Sequence, residues 1–157
     1  MSKLLGSNIK MIKLNPEWSV ENANSTPLEA NVSIDDFSGK RLIITLPGAG
    51  GFCNKELDSV KENENKFKEV GVDEVIVIVG TDILTNAGRG MPNLLQDINM
   101  EFAETNKLKL AGVQSKYLNR AVIAVDSAGN EILREDSALL GCRTIDGMVD
   151  IAKKAFS

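Results

Sequence analysis

Histidine is absent from this 157-residue chain. Its absence excludes Ser-His-Asp and Cys-His catalysis and removes the commonest zinc ligand. Cysteine is scarce, with only Cys53 and Cys142. Two are too few for a cysteine-rich zinc site or for a secreted disulfide scaffold of this length; one reversible pair is what they can make. No metal or other cofactor is expected. Clustered lysine and arginine are also missing, and the net charge is −4. Nucleic acid and anionic membrane both select basic patches, so neither is an expected partner. No apolar run approaches the roughly 18–20 residues of a membrane-spanning helix. Residues 1–6 hold no long apolar region, so no signal peptide is expected. A soluble, cytoplasmic protein in a reducing compartment fits these absences. There is no internal repeat and no low-complexity tract.

What is present is ordinary globular composition, with 43% hydrophobic and 25% charged residues. The length predicts one domain over residues 1–157, large enough to bury a core without disulfides or metals. The most informative stretch is Arg41 to Leu57. Leu42 to Leu46 is a short, mostly apolar run, as expected of a strand covered on both faces. Pro47 ends it, because proline has no N–H to continue a ladder. Gly48, Gly50 and Gly51 form a permissive turn. Phe52 and Cys53 then fall in the first turn of a helix, where free N–H groups and the positive dipole end favour thiolate over thiol.

Along the rest of the chain, residues 9–14 read as a strand at an edge. A hairpin is expected across residues 22–27, with Trp18 and Val20 before it and Val32 and Ile34 after it. Residues 34–40 predict one helical turn closed by Gly39. The helix bearing Cys53 continues through Leu57, Val60, Phe67 and Val70 on one face and ends at Gly71. Val75 to Val79 is five β-branched residues in a row, hence a central strand, parallel to the one before it. Gly80 to Gly90 is a loop or short helix. Leu94 and Leu95 form a strand that ends at Asp97, and Asn99 to Asn106 a short helix with Met100 and Ala103 inward. Residues 108–118 are irregular. Residues 121–125 and 131–135 make an antiparallel hairpin about a turn at 126–130. Thr144 caps a last helix with Ile145, Met148, Val149, Ala152 and Phe156 on one face. A βαβ unit, a hairpin and a helix in that order predict an α/β, thioredoxin-like sandwich with a central mixed sheet flanked by helices.

Each candidate site residue has a plain structural explanation beside the functional one. Cys53 is either a small buried apolar side chain or a reactive thiol. Cys142, next to Gly141, is either a thiol without a role or one that condenses with oxidised Cys53. Arg120 is either an exposed arginine at a strand edge, or a guanidinium that faces the cysteine helix, holds the thiolate and donates to a bound oxygen ligand. The glycines supply neither a phosphate-binding loop, which needs Gly-Lys-Ser/Thr, nor the last glycine of a dinucleotide fingerprint. A dithiol reductase would carry a second cysteine at position 56, which is Glu56, and a proline near 118–120, which is Leu-Asn-Arg.

The string Phe37-Ser38-Gly39-Lys40-Arg41, the run Leu46-Pro47-Gly48-Ala49 leading to Cys53, the segment Leu94-Leu95-Gln96-Asp97 with Glu101-Phe102, and Arg120 to Asp126 together resemble a peroxiredoxin. The likeness spans roughly residues 10–155 and is nearest the atypical two-cysteine branch, the type-five-like and thiol-peroxidase-like enzymes. The resemblance implies that Cys53 is the peroxidatic cysteine, Arg120 the active-site arginine, Pro47 the shielding proline and Cys142 the resolving cysteine. The pattern P-x-x-x-T/S-x-x-C is not matched in full. Gly50 stands where the hydroxyl belongs, and Pro47 precedes Cys53 by six residues rather than seven.

The resemblance thus implies a thiol-dependent peroxidase that reduces hydrogen peroxide and organic hydroperoxides through a cysteine sulfenic acid, with the peroxide seated against Pro47, Gly50, Gly51 and Phe52. A thiol donor of the thioredoxin or glutathione type would restore it, and a homodimer would be in keeping with the family. The alternative is a low-activity or non-catalytic redoxin that acts as a redox-sensitive binding or regulatory module, as the missing hydroxyl would allow.

Overall fold

In a computed structural model of the chain, the described residues are 2–21, 24, 26–47, 52–81, 83–87, 90, 91, 93–109, 117–136 and 144–157, less the side chains of 52–54 and 85. Among them the strands are β1 (Ser2–Lys3), β2 (Met11–Leu14), β3 (Leu28–Val32), β4 (Arg41–Leu46), β5 (Glu74–Val79), β6 (Leu94–Gln96), β7 (Ala121–Val125) and β8 (Asn130–Asp136). The helices are α1 (Phe52–Glu62), α2 (Glu64–Glu69), α3 (Glu101–Thr105) and α4 (Ile145–Phe156), with 3₁₀ turns at Ile34–Asp36 and Ile83–Asn86.

The two apolar runs lie at the middle of one sheet, whose order is β1-β8-β7-β4-β5-β6-β2-β3. β4 and β5 are parallel, as are β5 and β6; the other neighbours are antiparallel. The sheet is therefore mixed, and helices cover both faces, as the sequence predicts. Leu42, Ile44 and Leu46 alternate onto the face covered by α1, α2 and α4, where they meet Leu57, Val60, Phe67, Met148 and Ala152. Ile43, Ile76 and Ile78 face the other way, against Phe102 and Ala103 of α3 and against Met11, Leu108 and Leu118. A central strand buried on both sides has few polar positions, which is why its sequence does not alternate. Burying Phe67 completely contributes about 2–3 kcal/mol. No helix among the described residues is long and apolar enough to cross a membrane.

Three expectations need correction here, and one strand was not anticipated. Residues 11–14 are not an edge strand: β2 lies between β6 and β3, and β3 takes the edge. Its mixed burial comes from a register shift between Met11 and Lys13, which breaks the simple alternation. The hairpin exists, but its strands are β2 and β3; Trp18 and Val20 lie outside them, and Val20 is 80% exposed. The cysteine helix is two helices, because Asn63 leaves helical geometry at φ −115° and ψ 22°. Its amide side chain donates to Ser59 O at 2.7 Å, the local bond by which asparagine competes with helix continuation. The face survives the break, since Leu57, Val60 and Phe67 still share one core. Finally, Ser2–Lys3 pairs with Asn130 and Glu131, too short a strand to leave a periodic signal.

Arg41 opens β4 and is buried. Its guanidinium donates to the carbonyl oxygens of Gly39, Ile34, Phe37 and Asp126, at 3.1, 3.2, 3.0 and 3.0 Å. Carbonyl dipoles offset the burial of the charge and tie the 34–40 turn and the β7–β8 turn to the same strand end. The expected helical turn is shorter than residues 34–40 and closes at Phe37 rather than Gly39, because Phe37 is already extended at φ −101° and ψ 140°; Gly39, at φ +87°, serves the bend that leads into β4.

Candidate active site

β4 runs from Arg41 to Leu46 and delivers the chain to Pro47, which is buried. α1 begins at Phe52, so the backbone of Cys53 is in its first turn, where N–H groups have no partner within the helix. Gly50, Gly51 and Cys142 lie outside the described residues, as do the side chains of Phe52 and Cys53. The Cys53–Cys142 pairing therefore has no structural description here.

Arg120 is described in full, and it is not the exposed strand-edge arginine of the plain explanation. It is 3% exposed. The next residue, Ala121, pairs with Thr45 of β4, so Arg120 stands at the same end of the sheet as Pro47. Its Nε donates to Glu56 Oε2 at 3.2 Å, and the two side chains are 4% and 0% exposed. Glu56 is three residues after Cys53. On a helix that spacing puts the two positions one turn apart along the same face. The ion pair thus fixes a guanidinium beside the helical turn that carries Cys53. Arginine keeps its charge under all ordinary conditions, so the end of α1 gains a permanent positive neighbour.

The sequence reading missed Glu56, noting it only as the place where a second cysteine would stand. A signal was available. Position 56 adjoins Leu57 and precedes Val60 by four, on the inward side of α1. A carboxylate on an inward stripe requires a donor, and arginine at a nearby strand end is the natural one.

The other motif residues are structural. Leu94 and Leu95 are buried in the two opposite cores, and Phe102 is fully buried. The Asp97 carboxylate accepts from Phe102 N at 3.2 Å and Ala103 N at 2.8 Å, capping α3. Burial pushes its pKa above the ordinary aspartate value, against the lowering effect of those bonds. Asp126 does the reverse in the β7–β8 turn, where the Asn130 N–H above all holds its carboxyl below the ordinary value. Among the described residues there is no group of three or more His, Cys, Asp or Glu side chains that could hold a metal ion.

No protein-family model and no curated protein matches the sequence. Solved structures do match its shape. The mitochondrial 2-Cys peroxiredoxin of Plasmodium falciparum superposes with a TM-score of 0.74 at 16% identity, over 98% of this chain and 91% of that one. AhpC of Mycobacterium tuberculosis gives 0.72 at 15% identity, over 94% and 93%. Reduced Prx3 of Vibrio vulnificus, solved in complex with hydrogen peroxide, gives 0.70 at 15% identity, over 96% of each. The fold is therefore the thioredoxin-like fold of peroxiredoxin structures.

Proposed function

We propose that this chain is a thiol-dependent peroxidase. The observation that carries the reading is the buried Arg120–Glu56 pair, set in a peroxiredoxin fold beside the first turn of the helix that holds Cys53. The Cys53 thiolate attacks one oxygen of a hydroperoxide. An S–O bond forms, the O–O bond breaks, and the leaving oxygen takes a proton to depart as water or alcohol. Arg120 and the backbone N–H groups of the turn from Gly50 to Cys53 stabilise the negative charge that moves onto that oxygen. Pro47 shields the site from bulk water.

Cys53 is left as a sulfenic acid. In this reading Cys142 condenses with it, releasing water and forming a disulfide, as in the atypical two-cysteine branch. A thiol donor of the thioredoxin or glutathione type then supplies two electrons to regenerate both thiols. The chain works as a single domain in a reducing, cytoplasmic compartment, alone or as a homodimer. Stopped-flow consumption of hydrogen peroxide and an organic hydroperoxide by the reduced protein tests the proposal. Second-order rates orders of magnitude above that of a free thiol at the same pH are expected, and rates no faster than the free thiol would overturn it.

One observation favours a second reading. Gly50 lacks the hydroxyl that the family pattern places three residues before the cysteine. A chain without it could serve as a redox-sensitive binding or regulatory module that oxidises slowly. Thiolate absorbance separates the two: a Cys53 pKa well below 7 belongs to the enzyme, and one near the free value of about 8.5 to the module.

A further inference from the structure

Arg120 occupies an awkward place in the chain. β7 begins at Ala121, so the ladder that pairs Ala121 with Thr45 stops one residue short of it. Strand pairing therefore does not set its backbone. Three other bonds do. The Thr45 hydroxyl donates to Asn119 O at 2.8 Å, with a longer contact of 3.4 Å to Ala121 O. Asn119 N donates to Leu108 O at 2.6 Å, which ties the segment to the far side of the sheet. Asn119 Oδ1 accepts from Arg120 N at 3.0 Å, so the main-chain donor of Arg120 is held by its own neighbour.

Thr45 is the odd residue of β4. Every other position from Leu42 to Leu46 is aliphatic, and Thr45 is 1% exposed. Valine has the same shape and a better strand propensity without a hydroxyl to satisfy. A buried hydroxyl there is explained by the acceptor it reaches, a carbonyl just outside the ladder and one residue before the arginine.

We infer that Thr45 is a positioning residue for Arg120. From the opposite face of β4, its hydroxyl holds the 119–120 segment so that the guanidinium meets Glu56 beside the Cys53 turn. The consequence for peroxide chemistry rests on the peroxidase reading above; the positioning itself does not. Without the hydroxyl, Asn119 O loses a buried donor, the segment loosens, and Arg120 spends more time away from Glu56. The thiolate and the leaving oxygen are then stabilised less.

The test compares the full-length wild type with Thr45→Val and Thr45→Ser. Solvent exchange of the Arg120 Nε–H, assigned by its loss in Arg120→Lys, reports positioning directly by NMR. Hydrogen peroxide consumption measured against pH reports the chemistry. Thr45→Val is expected to exchange that proton about tenfold faster and to react about tenfold more slowly, the scale of one buried hydrogen bond. Its pH–rate profile should move to higher pH, and Thr45→Ser should restore exchange and rate to within about twofold. Unchanged Nε–H exchange in a folded Thr45→Val overturns the inference. If that variant does not fold, Thr45→Ala is read the same way, and failure of both to fold overturns it in favour of a purely structural hydroxyl. A wild type no faster than a free thiol would remove the peroxidase reading alone, because Nε–H exchange would still decide the role of Thr45.

Discussion

Arg120 and Glu56 are 64 positions apart in the chain and 3.2 Å apart in space, Nε to Oε2. Both side chains are almost wholly removed from water. Burying two charges is costly, and their attraction repays the cost only when geometry and further hydrogen bonds are good. A hydrophobic pair would fill the same space with less desolvation. What the charged pair adds is a guanidinium held in place at the end of a helix.

Breaking this pair from one side should therefore destabilise the protein more than removing it altogether. Glu56→Leu and Arg120→Met each are expected to cost about 3–5 kcal/mol, because each removes one partner of a buried ion pair. Glu56→Leu combined with Arg120→Met should cost less than the sum of the single changes. Urea unfolding of the three variants gives the comparison. A double variant as unstable as the sum would mean that the partners do not interact.

Cysteine replacements divide the proposed cycle into its steps. Cys53→Ser should abolish peroxide consumption. Cys142→Ser should keep the first turnover and accumulate the sulfenic acid at Cys53. Mass spectrometry after one equivalent of peroxide distinguishes the outcomes: an intramolecular disulfide in the wild type, and a dimedone adduct at Cys53 in Cys142→Ser. A persistent sulfenic acid in the wild type would mean a one-cysteine cycle.

Gly39→Ala should be destabilising wherever function lies. Gly39 has φ +87°, and a Cβ built there would overlap the Asp73 carboxylate, which accepts Lys40 N at 2.8 Å. Left-handed backbone costs a residue with a side chain about 1–2 kcal/mol, and the overlap adds to it. Thermal unfolding should show the loss with little change in the initial peroxide rate at low temperature.

Two aspartates give stability opposite dependences on pH. The Asp126 carboxylate accepts from Asn130 N at 2.8 Å, Ala128 N at 3.0 Å and Asn130 Nδ2 at 3.1 Å, and its pKa is lowered. Its contribution is present above the unfolded value of about 3.9 and is lost as the pH falls through the folded value. For Asp97, raised by burial, the contribution is full below about 3.9 and is lost as the pH rises through its folded value. Asp126→Asn should flatten the acid limb of the stability curve. Asp97→Asn should remove a decline on the side above about pH 4. Urea midpoints measured across the acid range check both slopes.

Much of the fold is legible in short stretches. The mostly apolar run of β4 and the β-branched run of β5 mark strands buried on both faces, and they are the sheet's two middle strands. Thr144 accepts Gly147 N at 3.1 Å and begins α4, whose Met148 and Ala152 face the core. The antiparallel return of β8 on β7 follows from the turn residues between them. In these places a local pattern suffices, because strand, helix and turn chemistry act over a few residues.

By itself, then, the sequence determined the alternation of elements, the buried centre of the sheet, and the placement of Cys53 at the start of the helix that follows β4. Only the tertiary structure decided that β2 lies inside the sheet, that Asn63 divides the helix, and that Glu56 and Thr45 belong to the story of Arg120. The physical reason is range. Periodicity reports which side of an element is buried, whereas Arg120 meets Glu56 and Asn119 meets Thr45 only when β4 and β7 pair in one register. A carboxylate and a hydroxyl on inward positions are visible in the sequence; the partners that make their burial tolerable come from the far end of the chain.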